Sequence, residues 1–301
     1  MTPAELLARK RYIGASEAAA ACGLSPWTTP YQLWSDKTSD AVSDIQNARM
    51  EWGSRLESVV LAKYAEDLPQ PHDVCSPCPQ YISEQFPWMA CTPDALRLDR
   101  VVEVKTAGIN AAREWGETGT DAVPLQYLLQ TTHQMIVTGR RLADIPVLIG
   151  GSDYRVYTVA YDEELAALLI ERERHFWQHV QDGTPPDVKS IADAVARWPK
   201  DSGITVIATQ EIADAVVRLR DLNAQMDTLE ADADALSLAI RTCMADASTL
   251  TDSAGQPLAT WKAQSRSQFD FQAFKSAHAD LYAAFTVKHP TRVFRLIKGK
   301  T

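Results

Sequence analysis

Asp94, Glu103 and Lys105 are the residues of this chain best placed, by type and spacing, to do chemistry. Asp94 ends the run Thr92-Pro93-Asp94 ahead of a turn, and Glu103 and Lys105 alternate with valine in Val101-Val102-Glu103-Val104-Lys105. Side chains of a strand alternate between its faces, so Glu103 and Lys105 are expected on one face and Val102 and Val104 on the other. Asp94, arriving from the preceding strand, can meet them at one spot. Two carboxylates hold a hard divalent cation through oxygen, and a neighbouring ammonium positions or activates a water. Those parts suit phosphodiester hydrolysis. Taken alone the spacing is unspecific, since an exposed strand bearing a Glu and a Lys reads the same way. The surroundings favour a half-buried sheet centre: the run 100–106 is β-branched, bounded by turn residues, and followed by Gly108 and a helical pattern.

The elements that must hold these residues are legible around them. Residues 14–22 predict a helix with Ser16 as N-cap and Gly23 as its stop. Pro30 after Thr29 opens a second helix, Tyr31 to Lys37. Residues 45–67 read as a long amphipathic helix, with Met50, Leu56, Val60 and Tyr64 near helical spacing and Glu57 riding on it. A loop rich in Pro and Cys covers 68–80, strands follow around 80–91 and 100–106, and a helix is expected near 109–116. Residues 124–139 start with Pro and stop at Gly, a helix that sets Tyr127, Gln130 and Gln134 on one face. A hairpin with strands near 143–150 and 154–160 and a helix over 162–182 complete a mixed α/β unit.

Beyond residue 186 the character changes, which divides the chain into a core over 1–187 and an extension over 188–301. Residues 208–247 form one helical pattern in which Leu222, Met226, Leu229, Ala233, Leu236, Ile240 and Cys243 recur at alternating four and three, a coiled-coil seam. A hairpin (249–263), a helix (270–286) and a terminal strand (291–297) are expected after it, an α+β extension built on one long helix.

A length of 301 residues fits a large domain or a core plus extension. No apolar run approaches bilayer length, and the start lacks a signal peptide's apolar core, so no membrane association is expected and the cytoplasm is the expected compartment. Five cysteines at irregular spacing fit a reducing compartment. The net charge of −9 speaks against a protein that simply coats nucleic acid, though not against an enzyme confining DNA in a locally basic channel. Residues 254–301 are basic, with eight Lys or Arg against two acids.

Three further features stand where a nuclease would need them: Glu57 in Gly53-Ser54-Arg55-Leu56-Glu57, the face formed by Tyr127, Gln130 and Gln134, and Arg9-Lys10-Arg11 just ahead of Ser16. Basic side chains beside free backbone N–H groups make an anion site. Each alone has a plainer reading, as a solvated charge, an interfacial polar stripe or a charged lead-in to a helix. In chain order, however, they resemble the lambda-exonuclease family, and more closely its YqaJ-type viral recombinase branch, the phage alkaline exonucleases. The matching stretches are Ile13-Gly14-Ala15-Ser16-Glu17-Ala18-Ala19, Leu24-Ser25-Pro26-Trp27, Thr29-Pro30-Tyr31-Gln32-Leu33-Trp34, Gly53-x-x-Leu56-Glu57, Thr92-Pro93-Asp94, Glu103-Val104-Lys105 and Gln130-x-x-x-Gln134-x-x-Val137-Thr138-Gly139, spanning residues 9 to about 180.

The resemblance implies an α/β fold with a PD-(D/E)xK restriction-endonuclease-like core that digests linear duplex DNA from 5′ ends. It leaves 3′ single-stranded tails for phage recombination by single-strand annealing. By position, Asp94, Glu103 and the carbonyl of Val104 would hold Mg²⁺, with Glu57 supporting a second ion and Mn²⁺ able to substitute. Lys105 would orient the attacking water, and Gln130, backed by Tyr127, would complete the catalytic set. Ser16 and either Arg9 or Arg11 would bind the 5′-phosphate. Members of this kind form homotrimeric rings, act on double-stranded DNA ends beside a single-strand annealing protein, and work in a bacterial host. Two competing readings are an endonuclease on the same fold and a non-catalytic DNA-binding scaffold. Cys75-Ser76-Pro77-Cys78 with Cys91 invites a cluster reading, but a fourth ligand would have to come from distant Cys22.

Overall fold

The computed structural model describes residues 7–39, 48–70, 73–287 and 291–297. The chain forms two compact units, Met1–Arg197 and Trp198–Thr301. The first opens with strand β1 (Ile13–Gly14), a 3-10 turn (Ala15–Glu17) and the short helix α1 (Ala18–Ala21). Ser16 lies inside the 3-10 turn instead of at an N-cap. Gly14 takes that place, its N–H donating to Glu17 Oε2 at 2.8 Å. Gly23 closes the segment as expected, at a φ of +73° that glycine adopts without steric penalty. Helix α2 (Pro30–Thr38) is capped by Thr29, whose hydroxyl accepts from the Gln32 N–H at 3.1 Å. In α3 (Ala48–Glu66) Val60 and Tyr64 are buried, but Met50 is exposed and residues 45–47 of the expected helix lie outside the described residues.

Residues 68–107 hold more strand than the sequence pattern suggests: β2 (Val74–Cys75), β3 (Tyr81–Ile82), β4 (Met89–Cys91), β5 (Ala95–Arg97), β6 (Arg100–Val102) and β7 (Lys105–Ala107). Ile109–Glu114 is a 3-10 helix, not an α-helix. Helix α4 (Leu125–Thr138) ends at Gly139, followed by β8 (Leu142–Ile149), β9 (Asp153–Ala160) and α5 (Glu163–Gln181), capped by Asp162. The unit runs past residue 187 through α6 (Ile191–Arg197), because buried Asp193 accepts from Thr29 Oγ1 at 2.9 Å and from the Lys189 N–H at 2.9 Å.

The main sheet is mixed, ordered β2-β5-β6-β8-β7, with β9 on the other edge of β8. Strands β6 and β7 both pair parallel with β8 in one register, Val102 opposite Asp144 and Lys105 opposite Val147. The expected strand over 100–106 is therefore interrupted at Glu103–Val104, and β8 supplies the reason. The Glu103 N–H donates to the Asp144 carbonyl at 3.0 Å. The next parallel rung would run from the N–H of residue 146 to the Glu103 carbonyl, but residue 146 is proline and has no N–H. The ladder opens where the strand carries its carboxylate.

Helices flank this sheet. Val101, Ile145, Val147 and Tyr157 pack with Met135 of α4 and Trp115 on one side. Tyr64 of α3 packs with Ala95 and Val102 on the other. A smaller sheet, β1-β4-β3, adjoins α4, and Ala18, Ala19, Leu129 and Leu169 join α1, α4 and α5.

The second unit is built on α7 (Gln210–Met244), followed by the hairpin β10 (Thr249–Thr251) and β11 (Pro257–Thr260). The expected helix over 270–286 is two, α8 (Phe271–Ala277) and α9 (Ala279–Phe285), parted at His278. Residues 291–297 have no strand partner among the described residues, so the terminal strand expected there does not form. No helix among the described residues is long and apolar enough to cross a membrane.

Candidate active site

The opening in the ladder gathers the first set of residues. Asp94 immediately precedes β5, and its Oδ2 accepts from the Val104 N–H at 2.7 Å. A side-chain carboxylate thus takes the place of a ladder partner where β5 has ended. The hydroxyl of Ser76 donates to the Asp94 carbonyl at 2.9 Å and holds the turn. Glu103 is buried, and its carboxylate accepts from three donors among the described residues: Lys105 Nζ at 2.5 Å and Gln130 Nε2 on Oε1, and Gln134 Nε2 at 2.6 Å on Oε2. Although the strand is broken, Glu103 and Lys105 still meet as the alternation predicts.

Helix α4 supplies the ceiling. Gln130 and Gln134 lie one turn apart, and both amides reach Glu103. Tyr127, a turn earlier, carries the Lys105 ammonium 5.0 Å from its ring centroid and stacks on Trp115 at 5.4 Å. Gln134 binds the carboxylate as directly as Gln130 does, a role the shared-face spacing signalled but did not separate. Trp115 could not have been found from spacing, because its partner Tyr127 is distant in sequence.

Electrostatics mark the same spot. Burial, then the charges of Glu103 and Glu57, push the Asp94 carboxyl up to about 8, against the pull of Lys105 and the Val104 N–H. Glu57 is raised by partial burial and by Glu103. Burial by itself would lower Lys105, but the facing Glu103 and Asp94 outweigh it and hold the ammonium above its usual range. Three carboxylates therefore repel one another around one cation, Lys105. Helix α3, which brings Glu57, is tied down by buried Asp144. Its carboxylate accepts from Tyr64 OH, from Arg100 Nη1 at 3.1 Å and from Thr158 Oγ1 at 2.8 Å.

An all-oxygen set of Asp94, Glu103 and Glu57 suits a hard divalent cation, which would relieve the repulsion that raises Asp94. Among the described residues no three His, Cys, Asp or Glu side chains close into a ready metal cage. Glu103 is instead turned to its amide and ammonium donors. The cysteines stand otherwise: the Cys78 thiol donates to the Cys75 carbonyl at 3.4 Å, and burial pushes Cys91 and Cys22 up to about 12, Cys22 beside Glu173. His133 is fully buried between Glu173 Oε1 at 2.8 Å and the Ala90 carbonyl at 3.1 Å, a packing residue that braces β4.

The N-terminal group is separate. Arg9 Nη2 reaches Ser16 Oγ at 3.5 Å and Glu17 Oε1 at 3.8 Å, and buried Lys37 donates to Glu17 Oε2 at 2.6 Å and to the Arg9 carbonyl at 2.8 Å. Arg11 is exposed, and its described bond is from its backbone N–H to Ala8. Of the two arginines the structure brings Arg9 to Ser16. The 3-10 turn bearing Ser16 packs on α4, the helix that carries Gln130 and Gln134.

Residues 6–141 match the YqaJ-like viral recombinase domain family. The match covers both groups of residues. Protein YqaJ of Bacillus subtilis (strain 168), described as uncharacterized, is 24% identical over 290 residues, which is 92% of this chain and 88% of that protein. Among solved structures, the alkaline exonuclease LHK-Exo from Laribacter hongkongensis is 17% identical, with a TM-score of 0.49 over 61% of this chain and 94% of that one. A phage-related exonuclease from Haemophilus somnus 129PT is 10% identical, with a TM-score of 0.40 over 57% of this chain and 96% of that one.

Proposed function

We propose that the N-terminal unit is a PD-(D/E)xK nuclease, a divalent-metal-dependent 5′-to-3′ exonuclease acting on linear double-stranded DNA. It leaves 3′ single-stranded tails for recombination by single-strand annealing, in the cytoplasm of a bacterial host and beside an annealing protein, as three copies closed into a ring. The observation that carries this reading is the convergence of Asp94, Glu103, Lys105 and Gln130 at the break between β6 and β7. Asp94, Glu103, the Val104 carbonyl and Glu57 are the groups that would hold Mg²⁺ or Mn²⁺. Bound there, a pair of such ions would neutralise the phosphate and stabilise the attacking and leaving oxygens of an in-line displacement.

The chain's own residues do the rest. Lys105, held by Glu103 and Tyr127, orients the water whose oxygen forms the new bond to phosphorus while the bond to the 3′-oxygen of the terminal nucleotide breaks. Gln130 and Gln134 fix the Glu103 carboxylate, and Tyr127 packs behind Lys105. Arg9 and Ser16 receive the 5′-phosphate, a dianion suited to a guanidinium and a hydroxyl. Each turnover exposes a new 5′-phosphate, so the same pocket can receive the next nucleotide. A scaffold would gain nothing from carboxylates gathered at such a desolvation cost.

The test compares Mg²⁺-dependent nucleotide release from 5′-phosphorylated linear, 5′-hydroxyl linear and closed-circular duplex. Loss only from linear DNA, fastest with the 5′-phosphate and abolished by Lys105→Ala with DNA binding retained, is the expected result. Cleavage of circles would make the protein an endonuclease, and no metal-dependent loss would leave a binding scaffold.

A further inference from the structure

Helix α7 carries an apolar seam that the described residues of its own unit leave exposed. Leu222, Met226, Leu229, Leu236 and Ile240 are all exposed, Leu229 and Leu236 at 67% each. The pattern also extends toward the N-terminus: Ile212, Ala215 and Leu219 continue the alternation of three and four, and all three are exposed. In heptad terms Ile212, Leu219, Met226, Ala233 and Ile240 are a positions, and Ala215, Leu222, Leu229, Leu236 and Cys243 are d positions. The rest of the unit touches α7 elsewhere. Arg241, whose guanidinium lies over the Trp261 ring 6.0 Å from its centroid, and Arg220, which donates to the Ile297 carbonyl at 2.6 Å, are both b positions, off the seam. A long helix with a sustained a/d stripe and no partner is half of a coiled coil.

We propose that α7 pairs antiparallel with α7 of a second copy of this chain. The choice of partner and direction comes from the order of large and small residues along the seam. Antiparallel pairing sets a positions against d positions, in the layers Ile212–Cys243, Ala215–Ile240, Leu219–Leu236, Leu222–Ala233 and Met226–Leu229. Every small residue then meets a large one, which is the condition for layers of even volume. Parallel pairing would instead stack Ala215 on Ala215 and Ala233 on Ala233 and leave gaps. Charge agrees. In the antiparallel pair g faces g and e faces e, so Arg218 meets Asp232 of the other copy, twice by symmetry. Both side chains are exposed. The one like-charge contact is Glu230 against itself at the two-fold axis. In the parallel pair no such ion pair forms, since Arg218 would face Asn223 and Asp232 would face Ser237. The proposal is independent of the nuclease reading.

Cysteine cross-linking of the full chain tests it. Cys243 of one copy lies across from Ile212 of the other, while the two Cys243 sulfurs sit at opposite ends, about 46 Å apart along the helix. Under diamide, which takes up the two electrons and two protons of the thiols, Ile212→Cys should give a disulfide-linked dimer. Adding Cys243→Ser should remove it, and the unaltered chain should give none through Cys243. Arg218→Asp should weaken the association about tenfold, and Arg218→Asp with Asp232→Arg should restore it. Glu230→Gln should strengthen it. A Cys243-dependent dimer of the unaltered chain would establish parallel pairing and overturn the proposal. So would an Ile212→Cys chain that never cross-links, or a charge exchange that fails to restore the yield.

Discussion

Glu103 is the residue on which the site turns. It sits buried in the sheet yet every donor around it is aimed at its carboxylate: one ammonium and two amides. Asp94, opposite, is buried and has two carboxylate neighbours, and the Val104 N–H and the Lys105 charge do not offset them, which is why its proton is held up to about 8. The sign of the consequence is definite. Between the ordinary carboxylate value of 3.8 and about 8, the metal-free folded chain keeps a proton that the unfolded chain has released, so its stability falls as pH rises through that window. Cation binding must expel the same proton, and Mg²⁺ affinity is expected to climb with pH to about 8 and then level. Calorimetric titration below and above that pH reads this directly, with proton release seen only at the lower one. Asp94→Asn should raise the metal-free melting temperature at alkaline pH while abolishing cation binding. An affinity flat across the range would refute the coupling.

At the scale of elements, Asp144 ties together what the chemistry needs aligned. Its carbonyl receives the Glu103 N–H, and its carboxylate receives Tyr64 of α3 and Arg100 of β6, so one residue registers the strand of Glu103 against the helix of Glu57. Asp144→Ala would leave Arg100 and Tyr64 facing a buried void, and a loss of about 3–5 kcal/mol in denaturant unfolding is expected. A loss under about 1 kcal/mol would mean that the network adds little to the register. Helix punctuation such as Thr29-Pro30 and Gly139 was legible in the chain because caps and stops are local. The break at Glu103–Val104 was not, because its cause is Pro146, a proline in a different strand whose register only the sheet reveals. Ser16 was misplaced as an N-cap for a similar reason: Gly14 is held by the side chain of Glu17, and a short 3-10 turn mimics the start of a helix. The pairing of Arg9 with Ser16 likewise needed the fold, since Arg11 stands at an equally admissible spacing.

For the whole molecule, the division at Arg197 puts the candidate site in one unit and the α7 seam in the other. Every residue of the candidate site lies in the first unit, which closes on its own through the anchoring of Asp193 to Thr29, Lys189 and Ser190. The second unit contributes an acidic helix and a basic tail, with no member of the carboxylate group. A chain ending at Arg197 is therefore expected to fold cooperatively and to retain Mg²⁺-dependent release of nucleotides from linear duplex. Its rate per active site should stay within about threefold of the full chain, because every residue proposed to act on the substrate lies in this unit. The same truncation should remove the cross-linkable pairing carried by α7. If the shortened chain folds, as judged by a single unfolding transition, but is inactive, then the extension supplies something to the chemistry itself, and the assignment of catalysis to the first unit alone would fall.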